Sequence, residues 1–314
     1  MKRNYLVIIL IIAVICLSAC SMGGGYDEKK GIDMKRGTST KLIPEENAES
    51  KLDGKLKLFF LDVGQADSIL IRTGSSSMLI DAGNNPDGED VVNYIRNEGV
   101  KKLDYVIGTH PHEDHIGGMD DVVNSFDIGK IYMPEASANT RTYADVITAV
   151  KNKGLKITRP VPGTNFKLGD AEVTILAPNG KKYDDLNNYS IAVKIVFGKT
   201  SFLLTGDAQI ESENEMLQKG FDLKADVLKL GHHGSHTSTG PEFLKAVSPE
   251  YAVISCGKDN DYGHPHRETM EKLEKANIKV YRTDECGTII CTSDGKSISF
   301  NKQPGSYSYP KGHK

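Results

Sequence analysis

Thr109-His110-Pro111-His112-Glu113-Asp114-His115-Ile116-Gly117-Gly118 is the stretch on which the reading of this chain turns. Three imidazoles and a carboxylate within six positions have the composition of a metal site. The apolar lead-in Leu103, Tyr105, Val106 and Ile107 reads as a strand, and Gly117-Gly118 then opens the chain toward a helix. A loop leaving a strand can aim alternate side chains at two neighbouring points. His110 and His112 can grip one ion, and Asp114 and His115 a second one about 3.5–4 Å away. The bland alternative is a surface loop that is merely rich in histidine.

Two more strand ends carry matching residue types. Leu203-Leu204-Thr205-Gly206-Asp207 ends a buried strand on a carboxylate whose two oxygens can bridge two cations. Standing alone, such an Asp more often caps the next helix. Leu228 to His236 follows another strand and contains His232, His233 and Ser235. One of His232 and His233 can complete the second ion's ligands. The other can contact a substrate oxyanion or shuttle a proton. The spacing does not separate the two, and Ser235 stands beside them as a supporting or substrate-facing group. The turns around Asp62–Ser68 and Asp81–Gly83 read mainly as turn chemistry. Asp81 can still hold a ligand histidine from behind. In Tyr262-Gly263-His264-Pro265-His266, His264 can face the site and bind phosphate, or the loop is structural.

The rest of the chain bounds the setting. Residues 1–19 read as a lipoprotein signal peptide: Lys2 and Arg3, a short apolar core from Leu6 to Leu17, then Leu17-Ser18-Ala19-Cys20. That ending resembles the bacterial lipobox, with Cys20 the lipidated first residue of the mature chain. Residues 20–50 read as a flexible tether, 51–302 as the folded domain and 303–314 as a disordered tail. The expected location is therefore extracytoplasmic, on the membrane face, held by the lipid. No span resembling a transmembrane helix follows residue 20, so a channel is not expected in this chain. The net charge is −3, and without Lys2 and Arg3 the balance is 37 basic against 42 acidic residues, or −5. No basic surplus advertises a strong nucleic-acid binder. Tryptophan is absent, so no Trp-based stacking platform exists. Cys256, Cys286 and Cys291 form an odd set and suggest no disulfide framework.

Strand runs followed by helices occur twice. Helices are expected over Val91–Glu98, Met119–Phe126 and Thr142–Lys153, then Glu211–Lys219, Glu242–Ala246 and Arg267–Ala276. This order suggests two sheets packed face to face with helices outside, an α/β protein of four layers, αββα.

The motifs D-V-G-Q-A-D, I-D-A-G, T-H-P-H-E-D-H-I-G-G, L-L-T-G-D, H-H-G-S and Y-G-H-P resemble the metallo-β-lactamase fold superfamily. Within it they resemble most the extracellular hydrolase domain of ComEC-type DNA-uptake (competence) proteins. The likeness covers roughly Leu56 to Phe300. It implies the αββα sandwich, two divalent ions (zinc or manganese) at one sheet edge, and hydrolysis by a metal-bound hydroxide. It also implies that His110 and His112 hold the first ion, and Asp114, His115 and one of His232/His233 the second, with Asp207 between. The broad superfamily adds a third histidine to the first ion, on the segment that here reads Leu186-Asn187-Asn188-Tyr189-Ser190. Asn187 or Asn188 can ligate through an amide oxygen, which makes that half harder and keeps manganese in play beside zinc.

The reading that follows is a metal-dependent phosphodiesterase or nuclease. In it Asp114 orients the attacking water, and Lys229 with the spare histidine stabilises the added charge. The substrate is DNA or an envelope phosphodiester such as a phosphocholine-decorated polymer. β-Lactam or ester hydrolysis and a non-catalytic anchored binding protein are the rival readings.

Overall fold

The computed structural model describes residues 54–310. Chain order in the first half is β1 (Leu56–Phe60), β2 (Ser68–Thr73), β3 (Ser76–Ala82), α1 (Gly88–Asn97), β4 (Lys102–Ile107), α2 (Glu113–Ile116), α3 (Met119–Ser125), β5 (Asp127–Tyr132), α4 (Arg141–Asn152) and β6 (Ile157–Thr158). The second half continues with β7 (Asn165–Leu168), β8 (Ala171–Ile175), β9 (Val193–Phe197), β10 (Thr200–Leu204), α5 (Ile210–Gln218), β11 (Val227–Lys229), α6 (Pro241–Val247), β12 (Tyr251–Ile254), α7 (Arg267–Lys275), β13 (Lys279–Arg282), α8 (Thr283–Cys286), β14 (Ile289–Ser293) and β15 (Ile298–Phe300). One sheet runs β15-β14-β1-β2-β3-β4-β5-β6 and the other β13-β12-β11-β10-β9-β8-β7.

Alternation along the strands separates the layers. In β1, Leu56, Leu58 and Phe60 point between the two sheets, while Phe59 and the following Leu61 point to the helices. The middle layer also takes Ile69, Ile71, Val193, Ile195, Phe202 and Leu204. On the outer face of the first sheet, Val91 and Ile95 of α1, Val122 of α3 and Val146 of α4 close a second core. Met216 of α5, Phe243 of α6 and Leu273 of α7 close a third over the other sheet. Each such buried side chain contributes about 1.5–3 kcal/mol. Three cores between four layers are the expected αββα sandwich.

The six expected helices are present, and each boundary falls within three residues of its expected place. Helix α4 starts where Thr140 accepts the Tyr143 amide at 3.2 Å, a side-chain cap that satisfies one orphan donor. Gly117 is required by packing: a Cβ there would lie 2.2 Å from the backbone of Asn84 and Asn85. The Gly-Gly pair thus lets α2 and α3 sit directly on the loop after β3.

The expected disordered tail is corrected for residues 303–310. Gly305 N donates to Val280 O (2.7 Å), Tyr307 Oη donates to Ile278 O (2.8 Å), and the Arg282 guanidinium donates to Ser308 O. Tyr307 and Tyr309 pack on the outer core. Two tyrosines two positions apart give an extended segment one apolar face, which the Pro, Ser and Lys around them mask. Cys256 and Cys291 are buried and Cys286 half-buried, all three free. Cys286 is the last residue of α8, ahead of β14. Cys20, the signal segment, the tether and residues 311–314 lie outside the described residues. Among those described, no helix is long and apolar enough to cross a membrane.

Candidate metal centre

Strands β3, β4 and β5 pair in parallel, as do β10, β11, β12 and β13. In a parallel sheet the strand ends and their loops collect at one edge, where ligands bind. Asp81 stands at the end of β3, and the segments that follow β4, β10, β11 and β12 carry His110–His115, Asp207, His232–His233 and His264 respectively.

Four side chains meet there. Ligand atoms of Asp114, His115, Asp207 and His233 all lie within 4.8 Å of one another. His115 Nε2 stands 3.3 Å from Asp207 Oδ2 and 3.6 Å from Asp114 Oδ2. His233 Nε2 stands 3.2 Å from Asp114 Oδ2 and 3.6 Å from Asp207 Oδ2. The opposite ring nitrogens are tied back. His115 Nδ1 donates to Asp81 Oδ2 at 2.7 Å, and His233 Nδ1 to the Ser255 carbonyl at 2.9 Å. Each bond ties the Nδ1 proton back and turns Nε2 toward the cluster.

Asp81 is itself fixed. It adopts φ +57, and its carboxylate accepts the Thr109 amide (2.8 Å) and hydroxyl (2.7 Å). With its proton given to Asp81, the Thr109 hydroxyl accepts from His110 Nδ1 at 3.1 Å. His110 Nε2 then faces His112 Nδ1 across 3.0 Å, so a second pair of ring nitrogens converges beside the first cluster. Gly206 makes this approach possible: it sits at φ +53, and its ideal Cβ would come 3.0 Å from Thr109 Cβ.

The electrostatics favour cations. Burial by itself depresses the His115 imidazolium, but Asp207, Asp114 and Asp81 outweigh it and raise its pKa well above the ordinary value. Burial likewise opposes ionisation of Asp207, yet His115 and His233 hold its carboxyl well below the usual range. His110 is held neutral by burial and by His115. Several buried atoms aimed at this region lack a hydrogen-bond partner: His115 Nε2, Asp207 Oδ1 and Asn187 Oδ1. Buried polar atoms left open cost about 1–3 kcal/mol each unless a ligand engages them. The residues therefore fit divalent ions.

Asp67, Asp81 and His115 form a second carboxylate–imidazole group of ligand spacing. It uses the tied nitrogen of His115, and the Lys229 ammonium already stands 2.9 Å from Asp67 Oδ2. A protein cation occupies that position, so this group backs the first cluster.

A cleft of about 310 Å³ opens over the centre, lined among others by Gln65, His112, Asp114, Asn187, His232 and His264. Residues 61–258 match the sequence profile of the metallo-beta-lactamase superfamily. The chain belongs to that superfamily. It is 32% identical over 262 residues to ComE operon protein 3 of Bacillus subtilis, covering 78% of this chain and 34% of that protein. It is 33% identical over 232 residues to Competence protein ComA of Neisseria gonorrhoeae, covering 73% and 31%. The chain thus spans about a third of the length of these relatives. Among solved structures, the metallo-beta-lactamase fold protein YhfI from Bacillus subtilis matches with a TM-score of 0.50 at 16% identity, over 76% of this chain and 99% of that one.

Several site expectations resolve within this superfamily frame. Of the histidine pair, His233 enters the cluster. His232 lines the cleft, with Nδ1 3.1 Å from Thr237 Oγ1 and Nε2 3.7 Å from Asp207 Oδ2. Burial lowers its pKa, with His233 and His115 adding to the effect. Ser235 is buried and braces Thr237 at 3.0 Å, so it acts on His232 from behind and does not face substrate. Lys229 is corrected. It is fully buried, ion-paired with Asp67, hydrogen-bonded to the Leu230 carbonyl and absent from the cleft lining, so it neutralises Asp67 and cannot stabilise charge on a substrate. Asn188 is corrected too. Its Oδ1 accepts the Gln209 amide and its Nδ2 donates to Glu211, which caps the start of α5 and leaves no amide oxygen for an ion. Asn187, with its open Oδ1, is the asparagine of the pair that lines the cleft.

Sequence reasoning missed Gln65 and Asp67. Gln65 Oε1 accepts the Gly257 amide at 3.0 Å, so its amide group donates to His264 Nδ1 at 3.1 Å. That leaves the His264 proton on Nε2. Burial, with His233, His232 and His266 adding to it, lowers the His264 pKa to about 3, so the ring is a neutral donor. The signal available was the Asp-Val-Gly-Gln-Ala-Asp run, whose Gln and second Asp exceed what a turn needs.

Proposed function

We propose that this chain is a metal-dependent phosphodiesterase of the ComEC-like type, acting on DNA outside the cytoplasmic membrane. The observation that carries it is the cluster of Asp114, His115, Asp207 and His233 beside the converging His110–His112 pair, open to one cleft. His110, His112 and Asn187 would hold one divalent ion and Asp114, His115 and His233 the other, with Asp207 between them. Two such ions, zinc or manganese, supply Lewis-acid charge and a water of lowered pKa when bound.

The remaining work falls to the chain. Asp114 is the partly exposed carboxylate of the cluster and is placed to orient the attacking water. His264, its proton fixed on Nε2 by Gln65, donates to a phosphoryl oxygen. His232, held by Thr237, offers a second neutral ring for proton transfer at the leaving oxygen. The Asn at position 187 and the polar cleft support phosphodiester over β-lactam chemistry. The kinship to a relative named for competence supports DNA as the substrate. The lipobox-like ending at Cys20 supports anchoring at the extracytoplasmic face of the cell membrane.

The test is turnover of bis-p-nitrophenyl phosphate and single-stranded DNA by protein loaded with manganese or zinc. Metal-dependent cleavage of both, abolished in His112→Ala, is expected. Turnover that is absent, or unchanged in that variant, overturns the reading. Cleavage of a phosphorylcholine ester but not of DNA moves the substrate to an envelope polymer.

A further inference from the structure

Tyr262 is exposed at 68%, the most of any large apolar or aromatic side chain among the described residues, and it lines the same cleft as His232, His233 and Asp114. Exposed aromatics on loops are unremarkable when the loop is loose. This one is braced on several sides. The Tyr262 amide donates to Asn260 Oδ1 (3.2 Å), and the Tyr262 carbonyl accepts from His266 Nε2 (3.2 Å). His266 Nδ1 accepts the His236 amide at 3.0 Å, which fixes the His266 proton on Nε2. Asn260 in turn donates to the Gly257 and His264 carbonyls (2.8 and 2.6 Å). The Tyr262 ring lies nearly parallel to His264, 20° apart with centroids at 5.7 Å. His264 is 5.4 Å from His232 and 6.2 Å from His233 by the same measure. One ring therefore separates Tyr262 from the centre.

We propose that Tyr262 is the stacking platform for the nucleobase beside the scissile phosphate, and that the substrate is consequently an unpaired strand. This rests on the phosphodiesterase reading. A flat ring carried on a hydrogen-bonded loop at the cleft mouth offers a π-face to any base. In a duplex that face is covered by neighbouring pairs, so an end, a loop or a single strand is required. One parallel partner makes a platform; a quaternary ammonium calls for a cage of several rings around it. The chain has no tryptophan, so a tryptophan placed at this position gives a clean reporter.

Tyr262→Trp makes the only indole in the protein. Its emission is followed as manganese-loaded protein is titrated with an oligothymidylate and with an abasic oligonucleotide of equal length. Saturable quenching by the first and not the second is expected. Binding of a labelled oligothymidylate, read by anisotropy, weakens about tenfold in Tyr262→Ala and is kept in Tyr262→Phe. Equal responses to both oligonucleotides, or unchanged binding by Tyr262→Ala, overturn the proposal. So does an emission change with phosphorylcholine and none with the oligothymidylate. Quenching without metal-dependent cleavage sinks the phosphodiesterase reading and leaves the platform. Cleavage without quenching does the reverse.

Discussion

Asp81→Asn isolates the support behind the centre from the centre itself. The side chain is buried and accepts three hydrogen bonds, from the Thr109 amide, the Thr109 hydroxyl and His115 Nδ1. Asparagine keeps the shape and tolerates the positive φ. Its Oδ1 can still accept the Thr109 amide, but its NH₂ then faces His115 Nδ1. Two donors cannot meet there, so the ring proton moves to Nε2, the nitrogen turned toward Asp114 and Asp207. His115 is then lost as a ligand in its resting tautomer. Removing such a supporting partner costs about 10–100-fold in metal affinity, or about 1.4–2.7 kcal/mol. The assay is competition between protein and a fluorescent zinc chelator, with unfolding of chelator-treated protein as the control for the fold. Unchanged zinc affinity in a destabilised metal-free protein would show instead that Asp81 only holds the loop together.

Other outcomes follow from the same geometry. Lys229→Met leaves Asp67 charged and buried, so urea unfolding should show a loss of about 3–5 kcal/mol; a variant of unchanged stability but no turnover would restore a catalytic role to Lys229. Asn187→Ala should lower metal stoichiometry toward one ion per chain with little change in melting temperature. Asn188→Ala should cost about 1–2 kcal/mol of stability through the lost α5 cap and leave metal content intact. Glu213, buried behind the histidine loop and accepting the Thr239 and Gly240 amides at 2.5 and 2.8 Å, has its carboxyl pushed by burial from 4.5 up to about 7. The native state therefore holds the extra proton between those values. The resulting stability is fully present below about 4.5 and is lost as pH rises through about 7, in total about 3 kcal/mol. Chemical unfolding across that window should show this fall in the parent protein and a flatter profile in Glu213→Gln.

Much of this was legible in the sequence because periodicity and ligand chemistry are local. The lead-in to Thr109 reads as a strand, and the four layers follow from strand runs that recur with helices. His110, His112, Asp114, His115 and Asp207 declare themselves by residue type at strand ends. What could not be read is orientation. Choosing His233 over His232 depends on the Ser255 carbonyl, and choosing Asn187 over Asn188 depends on where α5 begins. Lys229 sits between two apolar strand residues and looks like a charge presented at the strand's end. Only the fold shows that Asp67 comes from the far side of the chain to meet it. Gln65 is invisible for the same reason, since its partners Gly257 and His264 lie near 200 residues away.

These loops build a candidate two-ion centre. An anomalous difference map from manganese-loaded crystals tests it most directly. Two peaks are expected about 3.5–4 Å apart, one among Asp114, His115 and His233 and one at His110 and His112, with Asp207 between. A map with no peak there, or with its peak between Asp67 and Asp81 in place of the Lys229 ammonium, would contradict it.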